Sequence, residues 1–336
     1  MRKYRAAIIG LGKQSTEDHL PGIINSQFAE LVAVCDINTN LVSRVASQYK
    51  VKGYDSCQEL LKKERIDFAI VAVPHDAYAD IIPTLVKHKV HILKEKPFAR
   101  NLREAIKFAK LIKNADLECM VTLQRRFNPI FNSFLQLKDQ IGDLYFVDCR
   151  VTMFLEEPQS GWRGLSKTAG GGVILDLGYH MIDLIIWYFG LPDYIHAQFN
   201  VNNKNKKCHN VEDMAALLFC YKSGFHGSLF ISSHCPPKEQ NIKLLGSRGL
   251  IQLERGSISR MSCCGEVMEK LTRENAWPAA STEQIDYFCR ILNRERENYG
   301  GPEYHMKHMA FIEAAYRSQK QGSYISPKDL LNRYEY

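Results

Sequence analysis

The sequence predicts an α/β protein in two parts. The first part is expected to be a doubly wound parallel sheet, and the second an α+β domain with a largely antiparallel open sheet. Three observations favour this class: apolar runs alternate with amphipathic segments, a glycine-rich turn follows the first run, and the hydrophobic period changes beyond residue 125. We expect the domains to span residues 1–122 and 123–336.

In the first part, the apolar runs predict strands and the segments between them predict helices. The predicted strands are Tyr4–Ile9, Leu31–Cys35, Phe68–Val73, His91–Leu93 and Glu118–Val121. The predicted helices are Asn40–Tyr49, Cys57–Lys63, Ala77–Lys87 and Arg103–Ile112. Parallel neighbours need a crossover long enough to hold a helix, so this alternation predicts βαβ units with a ligand site at the carboxyl ends of the strands.

A glycine-rich turn joins the first predicted strand to a helix. Its residues are Gly10, Leu11, Gly12, Lys13, Gln14 and Ser15. Gly10 permits a tight turn, and Gly12 lets the backbone approach a pyrophosphate, whose charge the helix N-terminus meets. Ser15 replaces the third glycine of the dinucleotide fingerprint and still keeps the helix close to the strand. The turn is not the P-loop of nucleoside triphosphatases, because Gln14 stands where that motif requires Ser or Thr after the lysine. The turn therefore predicts a Rossmann domain.

Asp36 follows the second predicted strand, where a carboxylate accepts hydrogen bonds from the adenosine ribose. Its charge would repel a 2′-phosphate, so NAD is favoured over NADP. A neighbouring arginine would reverse this preference, but Ile37 and Asn38 offer none. The alternative interpretation of Asp36 is a helix N-cap or a loop carboxylate.

Two later motifs carry the candidate chemistry. Glu95-Lys96-Pro97 ends a predicted strand at the mouth of the cofactor cleft, although such a charged run is usually only solvated. Downstream, Ile174–Phe189 predicts a largely apolar helix that carries Asp176, His180 and Asp183. At ~100° per residue these three fall within about 60° on one face. Polar groups on a buried helix cost free energy unless they are hydrogen-bonded or functional. The alternative to a functional site is that these residues are helix caps and a hydrogen-bonded core histidine.

Taken together, the motifs resemble the Gfo/Idh/MocA family, which includes glucose-fructose oxidoreductase and inositol dehydrogenase. The resemblance rests on the 10–15 turn with His19, Val34-Cys35-Asp36, Glu95-Lys96-Pro97, Arg125-Arg126-Phe127-Asn128-Pro129, Trp162-Arg163, and the triple glycine 170–172 with Asp176, His180 and Asp183. It implies a catalytic set of Lys96, Asp176 and His180, which together with Arg163 would also bind the substrate. The cofactor contacts that it implies are Gly10, Leu11, Gly12, Lys13, Gln14, Asp36, Val73, Pro74, Glu95, Lys96, Gln124, Trp162 and Arg163. One departure is Tyr78, where the family often has His.

The chemistry of these residue types agrees with the resemblance. Oxidation of a secondary alcohol moves a hydride to the nicotinamide while the hydroxyl proton leaves, and His180 suits the general base. Lys96 can stabilise the developing charge on the oxygen. Asp176 can orient the substrate or raise the basicity of His180, while Asp183 acts there or holds the helix. Arg163 can meet a substrate carboxylate or phosphate.

Beyond residue 125 the period becomes that of strands with short turns. The predicted strands are Tyr145–Phe154, Tyr194–Val201, Met214–Tyr221, Phe225–Ser233, Ile242–Leu245 and Leu250–Leu253, with a hairpin at Lys222-Ser223-Gly224. The tail predicts helices over Glu283–Leu292 and His305–Gln319. The resemblance implies that the open sheet face mediates a homodimer or homotetramer, which would cover an apolar patch.

Composition narrows the class of protein. The formal charge of +7 is scattered, with Lys204–Lys207 the one dense run, so no nucleic-acid partner is expected. Adjacent pairs such as Cys208-His209, His234-Cys235 and Cys263-Cys264 lack zinc-site spacing, so no metal is expected. No apolar stretch reaches the ~18 residues of a membrane span, and we expect a soluble, cytoplasmic protein.

The motifs and the family resemblance together imply an oxidoreductase that uses NAD or NADP on a polyol, sugar, sugar nucleotide or cyclitol. One alternative is a non-catalytic regulator that binds the same cofactor. Another is a reductase of the same family that acts on a non-sugar substrate such as an imine or tetrapyrrole. Specificity is expected in the loops Glu156–Lys167 and Cys235–Gln240, and the sequence leaves the substrate and the direction of reaction open.

Overall fold

A computed structural model describes residues 2–156, 161–202, 209–273 and 277–334. The basic run Lys204–Lys207 and Cys208 lie outside the described residues. By its internal contacts the chain divides into two compact units. Unit 1 comprises Met1–Ala99, Arg103–Phe127 and Ala276–His305, and unit 2 comprises Arg100–Leu102, Asn128–Asn275 and Met306–Tyr336.

Unit 1 contains a six-stranded, fully parallel sheet. Its strands are β1 (Tyr4–Ile9), β2 (Ala29–Cys35), β3 (Lys52–Tyr54), β4 (Phe68–Val71), β5 (His91–Lys94) and β6 (Cys119–Val121). The strand order is β3-β2-β1-β4-β5-β6, so the order reverses between β1 and β4. This confirms the predicted doubly wound sheet, and in such sheets ligands bind beyond the carboxyl ends of the strands where the order reverses. The sequence missed β3, which is only three residues long and has no buried residue.

Unit 2 contains an eight-stranded sheet. Its strands are β7 (Leu144–Phe154), β8 (Tyr194–Asn200), β9 (Met214–Cys220), β10 (His226–Ser232), β11 (His234–Gly246), β12 (Gly249–Glu254), β13 (Ser257–Met261) and β14 (Val267–Thr272). The order is β14-β13-β12-β11-β7-β10-β9-β8, and the pairing is antiparallel except between β7 and β10. The largely antiparallel sheet is therefore confirmed.

The helices are α1 (Leu20–Ile24), α2 (Thr39–Tyr49), α3 (Cys57–Lys63), α4 (Tyr78–Lys87), α5 (Leu102–Asn114), α6 (Pro129–Lys138), α7 (Ser166–Ala169), α8 (Val173–Asp176), α9 (Gly178–Phe189), α10 (Trp277–Leu292), α11 (Pro302–Gln321) and α12 (Pro327–Asn332). A π-helical turn over Ser15–His19 precedes α1. Both predicted tail helices are present, as α10 and α11. Among the described residues no single helix is long and apolar enough to cross a membrane, although the bent pair Ser166–Asp176 and Gly178–Phe189 passes that test jointly.

Each compact unit is built from three segments of the chain, whereas the sequence predicted two domains with a single boundary after residue 122. Residues 276–305 return to unit 1, where the ring of Phe288 meets Phe68 edge-on with centroids 5.4 Å apart. Ile285 and Phe288 belong to the same buried apolar cluster as Ile8 and Val34 in the sheet. Burial of apolar surface is the main favourable term in folding, and it draws α10 back to the first sheet.

Alternation along β7 matches the sequence: Val147, Cys149 and Val151 are buried. The predicted loop Cys235–Gln240 is instead part of β11, which pairs with β7 through a register shift between His234 and Glu239. Prolines at 236 and 237 argue against a regular strand, and the irregular register accommodates them outside the ladder. The expected loop was therefore wrong.

Candidate active site

The glycine turn lies at the end of β1 and can hold only glycine at its first position. Gly10 has φ +92°, and a Cβ there would stand 2.2 Å from the Ala72 carbonyl oxygen. The buried Ser15 hydroxyl donates to the Gly10 carbonyl at 2.6 Å, so it ties the following helical turn to the strand. A Cβ on Gly12 would meet no atom within 4 Å. The turn is thus rigid on its protein side and open at Gly12.

Asp36 is tied to the same turn from the end of β2. Its Oδ2 accepts from the Leu11 N–H at 2.6 Å, and its Oδ1 accepts from the Asn38 N–H at 2.8 Å. The N-cap of α2 is Asn38, whose side chain accepts from the Asn40 and Leu41 N–H groups. The alternative interpretation of Asp36 as a helix cap is therefore wrong. Its carboxylate bridges the ends of β1 and β2, which is where a dinucleotide ribose would lie.

The other sequence-predicted cofactor contacts of unit 1 lie at the same edge of the sheet. Lys13 is exposed, with its Nζ 3.8 Å from Glu17 Oε1, and the exposed Gln14 side chain donates to Asp18. Val73 and Pro74 follow β4, and Gln124 begins a short helical turn after β6. Parallel strands bring their carboxyl ends to one edge, so these residues share a side of the unit.

Glu95 faces inward, whereas Lys96 is half-buried. The Glu95 Oε1 lies 3.0 Å from His19 Nε2 and accepts from the Thr122 hydroxyl at 2.8 Å. Burial raises the pKa of Glu95, but His19, Lys96 and Thr122 outweigh it and hold that pKa below its usual value. The ionised carboxylate therefore links the ends of β5 and β6 to the Ser15–His19 turn. The buried Tyr78, the departure noted in the sequence, donates to the Glu95 carbonyl at 3.2 Å.

In unit 2 the triple glycine leads into α8. A Cβ on Gly171 would stand 2.0 Å from the Tyr316 hydroxyl, and one on Gly172 would stand 1.9 Å from the Glu212 carbonyl oxygen. The Glu212 Oε1 accepts from Gly172 N, Ile174 N and Tyr316 Oη at 3.0, 3.1 and 2.8 Å. A buried carboxylate thus satisfies the N–H groups that open a helix, four residues before Asp176.

The predicted Ile174–Phe189 helix is interrupted at Leu177, where α8 ends and α9 begins. A Cβ on Gly178 would stand 2.5 Å from Ile231 Cδ1 of β10, so the break lies directly against the sheet. Glycine adjoining such a break is a recognised site of helix bending. Asp176 closes α8, and His180 lies in the first turn of α9.

The three ionisable groups on this segment divide by exposure. Asp176 and His180 are half-buried, whereas Asp183 is only 1% exposed. The Asp183 Oδ1 lies 2.9 Å from His308 Nε2, and the His308 ring stacks on Tyr179 with centroids 5.4 Å apart. Asp183 therefore anchors α9 to α11, which is the structural one of its two expected roles.

Trp162 and Arg163 lie in a short helical turn, Gly161–Gly164. The exposed Arg163 guanidinium stacks on the Trp162 ring, 4.5 Å from its centre, and the Trp162 carbonyl accepts from Thr168. The specificity loop expected at 156–167 includes residues 157–160, which lie outside the described residues. Where the chain is described, no three His, Cys, Asp or Glu side chains are grouped as a metal ion requires.

A doubly wound sheet with a glycine turn and a bridging acidic residue defines a dinucleotide-binding protein. Two family models match the chain: "Oxidoreductase family, NAD-binding Rossmann fold" over residues 4–123, and "GFO/IDH/MocA C-terminal domain" over residues 137–252. Together they cover more than half of the chain. The protein belongs to the Gfo/Idh/MocA family of oxidoreductases.

Among curated relatives, the rhizopine catabolism protein MocA of Rhizobium meliloti is 26% identical over 195 residues, which cover 56% of this chain and 58% of the relative. The D-glucoside 3-dehydrogenase of Escherichia coli K12 is 25% identical over 271 residues, covering 78% and 75%. In the first three relatives found, the aligned part spans only 55%, 58% and 60% of the relative's length.

A solved structure, the WlbA dehydrogenase from Bordetella pertussis in complex with NADH and UDP-GlcNAcA, superposes with a TM-score of 0.82. The identity is 21%, and the match covers 97% of this chain and 99% of that one. At this identity the likeness shows the fold alone.

Proposed function

We propose that the protein is a nicotinamide-dependent dehydrogenase or reductase that acts on a hydroxyl or keto carbon of a sugar, sugar nucleotide or cyclitol. One observation carries the proposal: Asp176 and His180 remain partly exposed on a segment whose neighbours Leu175, Tyr179 and Met181 are fully buried. A helix that only fills a core has no need of two accessible ionisable groups, whereas proton transfer needs them. The D-glucoside 3-dehydrogenase among the relatives supports a carbohydrate substrate.

The residues at the carboxyl edge of the first sheet fit a dinucleotide. The open space at Gly12 suits a pyrophosphate, and the Asp36 carboxylate has lone pairs left for ribose hydroxyls. The next residue, Ile37, is 92% exposed, and with Asn38 it offers no cation for a 2′-phosphate. These features support NAD over NADP.

The cofactor preference is tested by fluorescence titration with NADH and NADPH. We expect NADH to bind at least tenfold more tightly, and we expect Asp36→Asn to narrow the difference. The amide keeps one acceptor for the turn while it removes the charge that repels a phosphate. Equal affinities in the wild-type protein would contradict the preference.

A bound nicotinamide would supply the acceptor of a hydride from the substrate carbon or, in the reverse direction, the donor. His180 takes the hydroxyl proton during oxidation and gives it back during reduction. Lys96 donates a hydrogen bond to the substrate oxygen on which negative charge develops. Asp176 orients the substrate hydroxyl or the His180 ring. Arg163, held on Trp162, binds an acidic group of the substrate.

The activity is tested with NAD⁺ and a panel of polyols, sugars, sugar phosphates and sugar nucleotides, read at 340 nm. For the best substrate we expect Lys96→Met and His180→Asn each to lower kcat by about 10²–10⁴-fold, the usual range for acid–base and charge-stabilising groups. Lys87→Met is the control, because Lys87 is exposed at the end of α4.

Two outcomes would redirect the proposal. Tight NADH binding with no turnover in either direction, for any substrate, would favour a regulator that binds the cofactor without catalysis. Reduction of an imine or a tetrapyrrole, with no activity on carbohydrates, would favour the non-sugar reductase.

We also propose that the protein is a homodimer or homotetramer assembled through the open face of the second sheet. That face carries Leu218, which is 48% exposed, and Phe230 with Arg150 stacked on it. Light scattering after size exclusion tests the assembly, and Leu218→Glu is expected to shift it to monomer because a buried unpaired carboxylate is costly. A monomeric wild-type protein would refute it.

A further inference from the structure

Lys94 is a fully buried lysine that the proposed chemistry leaves unused. It ends β5, immediately before Glu95 and Lys96, and it is 0% exposed. An ammonium group without solvent is costly unless its hydrogen bonds are met by the protein. Hydrophobic residues normally occupy such a position in a parallel strand, and its neighbours Ile92 and Leu93 are of that type. A lysine there calls for a physical reason.

The Lys94 side chain turns back onto its own following segment. Its Nζ donates to the carbonyl of Glu95 at 2.8 Å and to the carbonyl of Pro97 at 2.5 Å. These two carbonyls stand on either side of Lys96. The Lys94 Nζ thereby links the backbone before Lys96 to the backbone after it, across the place where the strand ends.

The surroundings of Lys94 stabilise this arrangement. Its Nζ lies 3.6 Å from the centre of the Tyr78 ring on α4, and the Tyr78 hydroxyl donates to the same Glu95 carbonyl at 3.2 Å. A cation over an aromatic face is attracted by the negative charge of the ring face, and more strongly when water is excluded. The ring and the two carbonyls leave the ammonium few other positions.

The charged and titratable groups that face Lys94 come from three further directions. Burial lowers the pKa of Lys94 to about 7, while Cys119 on β6, Glu95 and Glu104 on α5 act to raise it. Loss of the proton would leave N–H donors on the amine but would remove the charge that strengthens both bonds to carbonyl oxygens. The linkage is therefore firmest in the protonated form.

We propose that Lys94 is a positioning residue for Lys96: by linking the Glu95 and Pro97 carbonyls, it fixes the backbone from which the Lys96 side chain extends to the substrate oxygen. This inference rests on the proposed function, in which Lys96 contacts the reacting atoms. Lys94 touches neither substrate nor cofactor. A shift of about 1 Å in a catalytic group can lower the rate by 10²-fold, so a backbone linkage at this point matters.

The test compares Lys94→Met with Lys96→Met and with the exposed control Lys87→Met, with NAD⁺ and the substrate that the panel identifies. Methionine keeps an unbranched chain in the core but removes every donor. For Lys94→Met we expect kcat to fall at least tenfold, with KM and NADH affinity within twofold of wild type, when rates are counted per NADH-binding site. Counting in this way removes any loss that is due only to unfolded protein.

A spectroscopic readout separates positioning from mere stability. In protein labelled with ¹³Cε-lysine, the Lys96 resonance is assigned by its loss in Lys96→Met. We expect that resonance to shift in Lys94→Met and to stay in place in Lys87→Met. If Lys94→Met does not fold, Lys94→Gln replaces it, since the shorter neutral amide cannot hold both carbonyls in the same way.

Three results would overturn the inference. If Lys94→Met keeps kcat within twofold and leaves the Lys96 resonance in place while Lys96→Met abolishes turnover, Lys94 has no positioning role and the proposed function stands. If Lys94→Met lowers NADH affinity and kcat together by the same factor, it acts on the whole domain. If Lys96→Met itself retains full turnover, the proposed function fails, and the inference fails with it.

Discussion

Glu212 offers a test of how the segment bearing Asp176 is held. Its Oε1 accepts all three hydrogen bonds, from Gly172 N, Ile174 N and Tyr316 Oη, whereas its Oε2 accepts only a second bond from Gly172 N. Truncation to alanine leaves two backbone N–H groups and one hydroxyl without their acceptor. Each such loss costs about 1–3 kcal/mol, so the lower end of this range predicts a loss of about 3 kcal/mol for Glu212→Ala.

Glu212→Gln is the matched variant. The amide oxygen can take the place of Oε1 and accept all three bonds, so we expect the free energy of unfolding to stay within about 1 kcal/mol of wild type. Burial raises the pKa of Glu212, and its hydrogen bonds only partly offset this. The folded protein then holds this proton more tightly than the unfolded chain, so the contribution of Glu212 to stability is greatest below its ordinary pKa and is lost as pH rises through the raised value.

Urea unfolding, followed by tryptophan fluorescence at pH 5 and pH 8, measures both effects. Glu212→Gln should be less sensitive to pH than wild type in this interval, because it cannot titrate. If Glu212→Ala unfolds at the wild-type urea concentration, or if Glu212→Gln is as unstable as Glu212→Ala, the account of Oε1 as the shared acceptor is wrong.

Three further changes test other parts of the molecule. Gly12→Val should abolish NADH binding, measured as loss of the fluorescence enhancement, because the valine side chain would occupy the space expected for the pyrophosphate. The melting temperature should not change, because that side chain meets no protein atom. Retained binding would show that the pyrophosphate lies elsewhere. His91 Nδ1 accepts a hydrogen bond from the Glu118 N–H, and burial lowers the pKa of His91. The free energy of unfolding should therefore fall as pH drops below about 6.5, where the unfolded chain takes up a proton more readily than the folded protein. Urea unfolding at several pH values should show a weaker pH dependence in His91→Asn, which cannot titrate. Asp183→Leu should destabilise unit 2 by about 3–5 kcal/mol, since it leaves the buried His308 without its carboxylate; calorimetry that finds less than 1 kcal/mol would count against an anchoring role.

Local hydrophobic patterns in the sequence predicted much of the fold. The alternation of apolar runs with amphipathic segments predicted five of the six strands of the first sheet, and period-two alternation predicted the core of the second. The sequence did not predict β14, the edge strand of the second sheet. Every residue of β14 is exposed, so its sequence has no alternation of apolar and polar residues to indicate a strand. Likewise Cys235–Gln240 was expected to be a loop but lies in β11, because the irregular register that admits its prolines to a strand depends on the partner β7.

The candidate site divides in the same way. The glycine turn, the acidic residue after the second strand and the polar pair on an apolar helix identified Gly10, Asp36 and His180 from the sequence alone. The contacts that support these groups were not predicted: His19, for which the sequence indicated no partner, meets Glu95 from 76 residues away, and Tyr316 meets Glu212 from 104 residues away. Such contacts arise only when distant segments pack together, and no local period records them.

The glycine turn has a consequence for the rate of ligand capture. Ser15 holds the Gly10 carbonyl and Asp36 holds the Leu11 N–H, so the conformation of the turn is maintained by the protein's own hydrogen bonds. A flexible segment would lose about 1–2 kcal/mol of backbone entropy per residue on closing around a ligand. A turn that is already ordered avoids this loss, so encounter should require little rearrangement and dinucleotide affinity should vary mainly through the dissociation rate. Loosening the turn with Ser15→Gly should therefore slow association as well as speed release.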